Sequence, residues 1–101
     1  KWSRKAAEQG NALAQFNLGM ALGNGQGMTK DEVEAVKWFR KAAEQGDANA
    51  QFFLGGMLSN GRGVAQDRDE AVKWFRKAAE QGDANAQFFL GGMLSNGRGV
   101  A

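Results

Sequence analysis

From Asp31 to Asn60 the apolar residues fall twice into a helical rhythm, each time between a capping acid and a glycine. Asp31, with Glu34 three residues on, offers an acceptor to the first free N–H groups of a helix and a carboxylate to its positive end, an Asp-headed capping box. Ala35, Val36, Phe39, Ala42 and Ala43 follow at i, i+1, i+4, i+7 and i+8, one face of a helix. Gly46 is free to take the left-handed conformation that ends it, and Asp47 recaps the chain at once. The second predicted helix presents Ala50, Leu54, Met57 and Leu58 on one face and stops at Asn60-Gly61. Gly61-Arg62-Gly63-Val64 then leads to Asp67 and Glu70, where the pattern restarts. The predicted unit is an antiparallel helical hairpin.

That unit repeats. Residues 34–65 recur unchanged at 70–101, an offset of 36, and residues 1–28 match 37–64 at 19 of 28 positions. The expected architecture is all-α: one repeat domain over 1–101, with a truncated repeat at 1–28 and full repeats at 29–64 and 65–101. Small residues at Ala42, Ala43, Ala50 and Gly55 let helices approach closely. Gly55-Gly56 costs up to about 1 kcal/mol per glycine relative to alanine, so close packing is expected in return. Stacked hairpins form a solenoid held by its neighbour interfaces.

Ala35, Trp38, Ala42-Ala43, Gly46, Ala50, Leu54-Gly55, Gly61, Gly63 and Val64 recur 36 positions away, around the string AAEQGDANAQ at 42–51. In these residues nearly the whole chain resembles the Sel1-like repeat (SLR), a relative of the tetratricopeptide repeat. The resemblance implies a right-handed α/α solenoid, a tetratricopeptide-like superhelix with the first helices on its concave side, and a scaffold role in protein–protein interaction. Two departures recur: Leu22, Leu58 and Leu94 stand where the family often has Tyr, and Phe53 and Phe89 where it is commonly polar, as at Asn17. The chain has no Cys, so it is not of the cysteine-rich branch, which staples each hairpin with a disulfide.

Composition narrows the chemistry. Hydrophobic content of 43% with 24% charged residues is that of a folded domain. Without Cys or His, thiolate nucleophiles, imidazole bases and the usual zinc sites are excluded. Ser3, Ser59 and Ser95 have no histidine to activate them. Gly23-Asn24-Gly25-Gln26-Gly27 follows a helix, where a dinucleotide loop needs a preceding strand, and reads as a helix-terminal turn. Asp67-Arg68-Asp69-Glu70 lacks the spacing of a calcium loop and reads as a helix start. Glu32 and Glu34 favour a helix dipole. No catalytic residue, metal or cofactor is expected, and no apolar run reaches the roughly 20 residues of a membrane span. The chain opens Lys-Trp-Ser-Arg, which reads as an excised segment.

Candidate surfaces remain. Lys37, Arg40 and Lys41 recur as Lys73, Arg76, Lys77 and as Lys1, Arg4, Lys5, nine of the thirteen cations on one stripe. They form either a basic groove for an acidic protein segment or, the favoured reading, a solvated face with Arg40–Glu44 as an i, i+4 pair. Trp2, Trp38 and Trp74 either fill the junctions between repeats, the favoured reading, or form a ladder of peptide anchors. Phe53 and Phe89, with Met57 and Met93, are an exposed apolar patch or part of the core, with equal support. Phe52 and Phe88 lie opposite Leu54 and should pack on the following hairpin.

The expected function is a non-catalytic scaffold that binds a protein or peptide. The first rival is a structural module that self-associates through uncapped ends, with Phe88 lacking a following hairpin. A polyanion binder ranks lower, because Glu8, Glu44 and Glu80 interrupt the basic stripe and the net charge is only +2. An enzyme is the most distant alternative.

Overall fold

The computed structural model describes residues 2–24 and 31–95, and the side chains of 4–23 and 31–92. Among these described residues six helices follow one another: α1 (Trp2–Glu8), α2 (Ala12–Asn24), α3 (Glu32–Glu44), α4 (Ala48–Asn60), α5 (Arg68–Glu80) and α6 (Ala84–Ser95). Consecutive helices pack together from α1 to α6, in an elongated stack of 42 × 24 × 17 Å. There is no strand among the described residues. The fold is an all-α solenoid. The string at 23–27 and the boundary at 28/29 lie largely outside the described residues.

The corner between paired helices is set locally. Gly46 takes φ +98°; its N–H donates to the Ala43 carbonyl at 2.9 Å and the Asp47 N–H to Ala42 at 3.2 Å, the two bonds of a Schellman closure. Asp47 then accepts from the Ala50 N–H at 3.0 Å to start α4. The same closure recurs at Gly82 and Asp83.

At the start of α3 only half of the expected capping box forms. Asp31 accepts from the Glu34 N–H at 3.0 Å. The N–H of Asp31 donates instead to the Leu22 carbonyl of α2 at 2.7 Å, and that of Asp67 to Leu58 at 2.9 Å. The donor that the glutamate would serve is already taken, so the Glu34 and Glu70 carboxylates are released for use elsewhere.

The expected core faces are buried: Ala35, Val36, Phe39, Ala42 and Ala43 on α3, and Ala50, Leu54, Met57 and Leu58 on α4. The two glycines of α4 differ. A Cβ on Gly55 would lie 3.0–3.2 Å from the Phe75 ring, and one on Gly19 2.8–3.2 Å from Phe39. A Cβ on Gly56 would meet nothing within 4 Å, so close packing explains Gly55 and does not explain Gly56. Gly56→Ala should therefore stabilise by about 0.5–1 kcal/mol, through helix propensity alone. Gly55→Ala should destabilise, because it drives the Phe75 ring out of its seat. Urea melts of the two variants check this; equal shifts would mean that the ring does not need the space.

Candidate functional site

Polar bonds run from hairpin to hairpin in two rows, each spanning 30 residues. In the first row Arg4 Nη1 donates to Glu34 Oε2 at 3.1 Å, and Arg40 Nη1 to Glu70 Oε2 at 2.8 Å. The same carboxylate oxygens accept the indole N–H of Trp38 (3.2 Å) and of Trp74 (3.0 Å). In the second row Gln45 Nε2 donates to Gln15 Oε1 at 2.7 Å, and Gln81 Nε2 to Gln51 Oε1 at 2.9 Å. Gln15 and Gln51 are buried and donate in turn to the carbonyls of Ala7 and Ala43. Arg62, in the loop after α4, reaches back to pair with Glu32 at the start of α3.

This corrects the expectation for Arg40. Its partner is Glu70 of the next hairpin, because the released carboxylate lies within reach and already carries an oriented indole donor. Glu44 is left exposed. The stripe is therefore divided: Arg40 is tied into the stack, whereas Lys37, Lys41, Lys73, Arg76 and Lys77 are exposed. Lys41 Nζ lies 5.8 Å from the Trp38 ring centroid and Lys77 Nζ 6.0 Å from that of Trp74. Trp38 is buried and Trp74 half-buried. Each tryptophan borders a shallow depression on the first-helix face. One of about 380 Å³ is lined by Asp31, Val33, Glu34, Lys37, Trp38 and Lys41, and one of about 410 Å³ by Asp67, Asp69, Glu70, Lys73, Trp74 and Lys77.

Both carboxyls are held below the usual carboxylate range, Glu34 mainly by the Trp38 indole and then by Arg4, Glu70 mainly by Arg40 and then by Trp74. A lowered native value means that the added stability is complete above the ordinary value of 4.5 and is lost as pH falls through the native one. The pairs are a third exposed, so each should contribute a few tenths of a kcal/mol up to about 1. The Glu34→Gln/Glu70→Gln variant should lose stability near neutral pH, and the gap to the parent chain should close as pH falls from neutral to well below 4.5. Melting temperatures across that range test it; a gap that does not change with pH would mean that the carboxylates contribute no charge.

The second candidate patch also divides. Phe53 is half-buried and Met57 buried, so they do not form an exposed patch. Phe53 stacks on Phe39 at 5.7 Å between centroids and touches Phe16 at 5.5 Å. Phe89 stacks on Phe75 at 5.9 Å and touches Phe52 at 5.5 Å, yet stays 49% exposed. Met93 lies outside the described side chains. Between these rings is an apolar cleft of about 230 Å³, lined by Phe52, Phe53, Gly56, Met57, Phe75 and Phe89, with Asn60 and Arg62 beside them. Phe52 packs on the following hairpin through Phe75 and Phe89. The sequence does hold a signal for this stacking: Ser3 and Asn17 stand together in the first repeat, where Phe39 with Phe53 and Phe75 with Phe89 stand in the others.

Among the described residues no helix is long and apolar enough to cross a membrane. No match is found among curated proteins. Solved structures share the fold, three of them as follows. A Sel1 repeat protein from Oxalobacter formigenes is 48% identical, with a TM-score of 0.94 over 99% of this chain and 41% of its own. The protective antigen c5321, present in uropathogenic Escherichia coli strains and displaying an SLR fold, is 46% identical, with a TM-score of 0.96 over 99% of this chain and 21% of its own. Helicobacter pylori cysteine rich protein B is 30% identical, with a TM-score of 0.83 over 88% of this chain and 67% of its own. This chain thus spans less than half the length of the first two. The Sel1 repeat family model matches residues 1–11, 12–47, 48–83 and 84–101, each match running from one second helix through the next first helix or stopping at a chain end. The chain belongs to the Sel1 repeat family, whose members are generally protein-interaction scaffolds and typically non-catalytic.

Proposed function

We propose that this chain is a non-catalytic scaffold that binds an acidic protein segment along its first helices. The observation that carries the reading is the recurrence of one depression around Trp38 and again around Trp74, in which an indole and two lysines lie beside the carboxylates of the helix start, Asp31 and Glu34 in the first and Asp67, Asp69 and Glu70 in the second. The first depression offers the exposed Val33 and the second the half-buried Trp74 as an apolar edge that a side chain can cover, and each offers two ammonium groups that favour carboxylates. Arg40 and Glu70 hold the repeats in register, so the spacing of the depressions is fixed before a partner arrives. Prior ordering of this kind lowers the entropy cost of binding.

The test is charge reversal at the exposed cations alone. Changing Lys37, Lys41, Lys73 and Lys77 to Glu should leave the helical circular dichroism intact and abolish binding to an acidic partner peptide. Raising salt from about 0.05 to 0.5 M should weaken the parent complex. Binding insensitive to both changes would overturn the proposal. Self-association is the second reading, favoured by Phe88, which is 77% exposed; sedimentation velocity at two concentrations separates it from the first.

A further inference from the structure

The same trio of rings forms at both internal junctions. Phe16, Phe39 and Phe53 gather with centroids 5.5–5.8 Å apart. Phe52, Phe75 and Phe89, each 36 positions on, gather with centroids 5.5–5.9 Å apart. One position of the second helix differs beside these trios: Met20 in α2 becomes Gly56 in α4. Met20 is half-buried and packs against the core. Gly56 sends no side chain into the corresponding space, and a Cβ there would meet nothing within 4 Å. The space is the apolar cleft of about 230 Å³, and Gly56 is part of its lining. Met57, the next residue, forms one wall and leaves the space open. The cleft lies between α4 and the α5–α6 hairpin, inside the stack, and its lining side chains all belong to the described residues. Gly56 weakens α4 relative to alanine and is not needed for helix packing. Keeping this cleft open is what its missing side chain does.

We propose that the cleft is a binding site for the methionine side chain of a partner peptide. Its volume is below the roughly 300–1,000 Å³ of sites that take whole small molecules, and suits one side chain. Its walls are Met57 and the rings of Phe52, Phe53, Phe75 and Phe89. A thioether sulfur packs favourably against such rings, and an unbranched, flexible side chain adapts to an irregular gap. Charge selects in the same direction. Arg62 is the one charged residue of the described lining and already pairs with Glu32, so an inserted acid or base would find no counter-ion. Methionine is also what the chain itself places at this point of the first junction. At the rim stand Asn60 and Arg62, both exposed, whose amide and guanidinium can hydrogen-bond the peptide backbone on either side of the inserted residue. The inference rests on the scaffold reading and adds an anchor to it. The cleft shares no residue with the lysine depressions.

The test uses the whole chain, labelled with ¹⁵N, and the end-blocked peptide Gly-Ser-Met-Ser-Gly as the probe. One inserted side chain supports a weak affinity, about 1–10 mM, so the probe is added to about 20 mM. Amide shifts should move and saturate at Phe53, Gly56, Met57 and Phe89, with nuclear Overhauser effects from the probe methyl to the phenylalanine rings. The same peptide with alanine or glutamate in place of methionine should give none of these. The Gly56→Met chain, which copies the first junction, should keep its helical circular dichroism and lose the shifts. The Gly56→Ala chain should melt no lower than the parent and bind the probe at least threefold more weakly. A chain with Lys37, Lys41, Lys73 and Lys77 changed to Glu should bind the probe as the parent does, so its loss of an acidic peptide speaks only to the first-helix face. No shifts at the four amides, equal shifts from the alanine peptide, or a folded Gly56→Met chain that binds as the parent does would overturn the proposal. Should Gly56→Met unfold the chain, undiminished binding by Gly56→Ala would overturn it instead. The same shifts on concentrating the chain alone would assign the cleft to a second copy and overturn it too.

Discussion

Replacing Phe75 with alanine should destabilise the chain by about 3–5 kcal/mol, the range for removing a buried aromatic ring. Phe75 is 2% exposed and is among the largest fully buried side chains. It fills the seat over Gly55, touches Phe52 at 5.8 Å and stacks on Phe89 at 5.9 Å. Each aromatic contact adds about 0.5–1.5 kcal/mol beyond the area buried. The cavity cannot close cheaply, because the walls on both sides are helices already fixed by Arg40–Glu70 and Gln81–Gln51. In a stack whose stability lies in neighbour interfaces, the loss should fall on one junction. Hydrogen exchange should therefore quicken across α5 and α6 while α3 and the first half of α4 stay protected. Uniform loss of protection would mean that the three hairpins unfold as one unit. Phe89→Ala, at a ring half in solvent, should cost far less.

What the sequence made legible was whatever acts within one turn. Asp47 capping Ala50 and Gly46 closing α3 involve neighbours a few residues apart, and their residue types admit few alternatives. The helix faces were equally readable, because 3.6-residue periodicity survives without knowing what lies opposite. Contacts across hairpins were not. Arg40 had an eligible local partner in Glu44, and nothing local shows that the Asp67 N–H would be taken by Leu58, freeing Glu70 to reach Arg40. Gly55 and Gly56 are adjacent in sequence yet about 100° apart around α4, and only the position of Phe75 tells the essential one from the other. Phe53 was ambiguous for a similar reason: Asn17 at the equivalent place suggested dispensability, until Ser3 is seen to have replaced the ring on which Phe53 stacks.

Gly63→Ala should cost about 2–5 kcal/mol, more than alanine at any other left-handed glycine of the second hairpin. Two independent terms add. Gly63 sits at φ +72°, where an L side chain is strained by about 1–2 kcal/mol. A Cβ there would also strike the carbonyl group of Glu32, which is backbone in the first turn of α3 and has no rotamer to change. Relieving that overlap requires the loop to lift from α3, at a cost of about 1–3 kcal/mol, and would pull Arg62 away from Glu32. Gly46 provides the control, because it is equally left-handed, at φ +98°, but a Cβ there meets nothing within 4 Å. Gly46→Ala should lose only the backbone term, and Gly46→Val somewhat more, since a β-branched residue tolerates positive φ least. Gly61 falls between them, at φ +69° with the Gln66 Cβ 3.3 Å from its own would-be Cβ. Chemical denaturation of the three alanine variants should rank them Gly63, Gly61, Gly46 in order of damage. Equal losses at Gly63 and Gly46 would show that the loop is free to move off α3. The Arg62–Glu32 pair would then not help to hold the glycine loop against the stack.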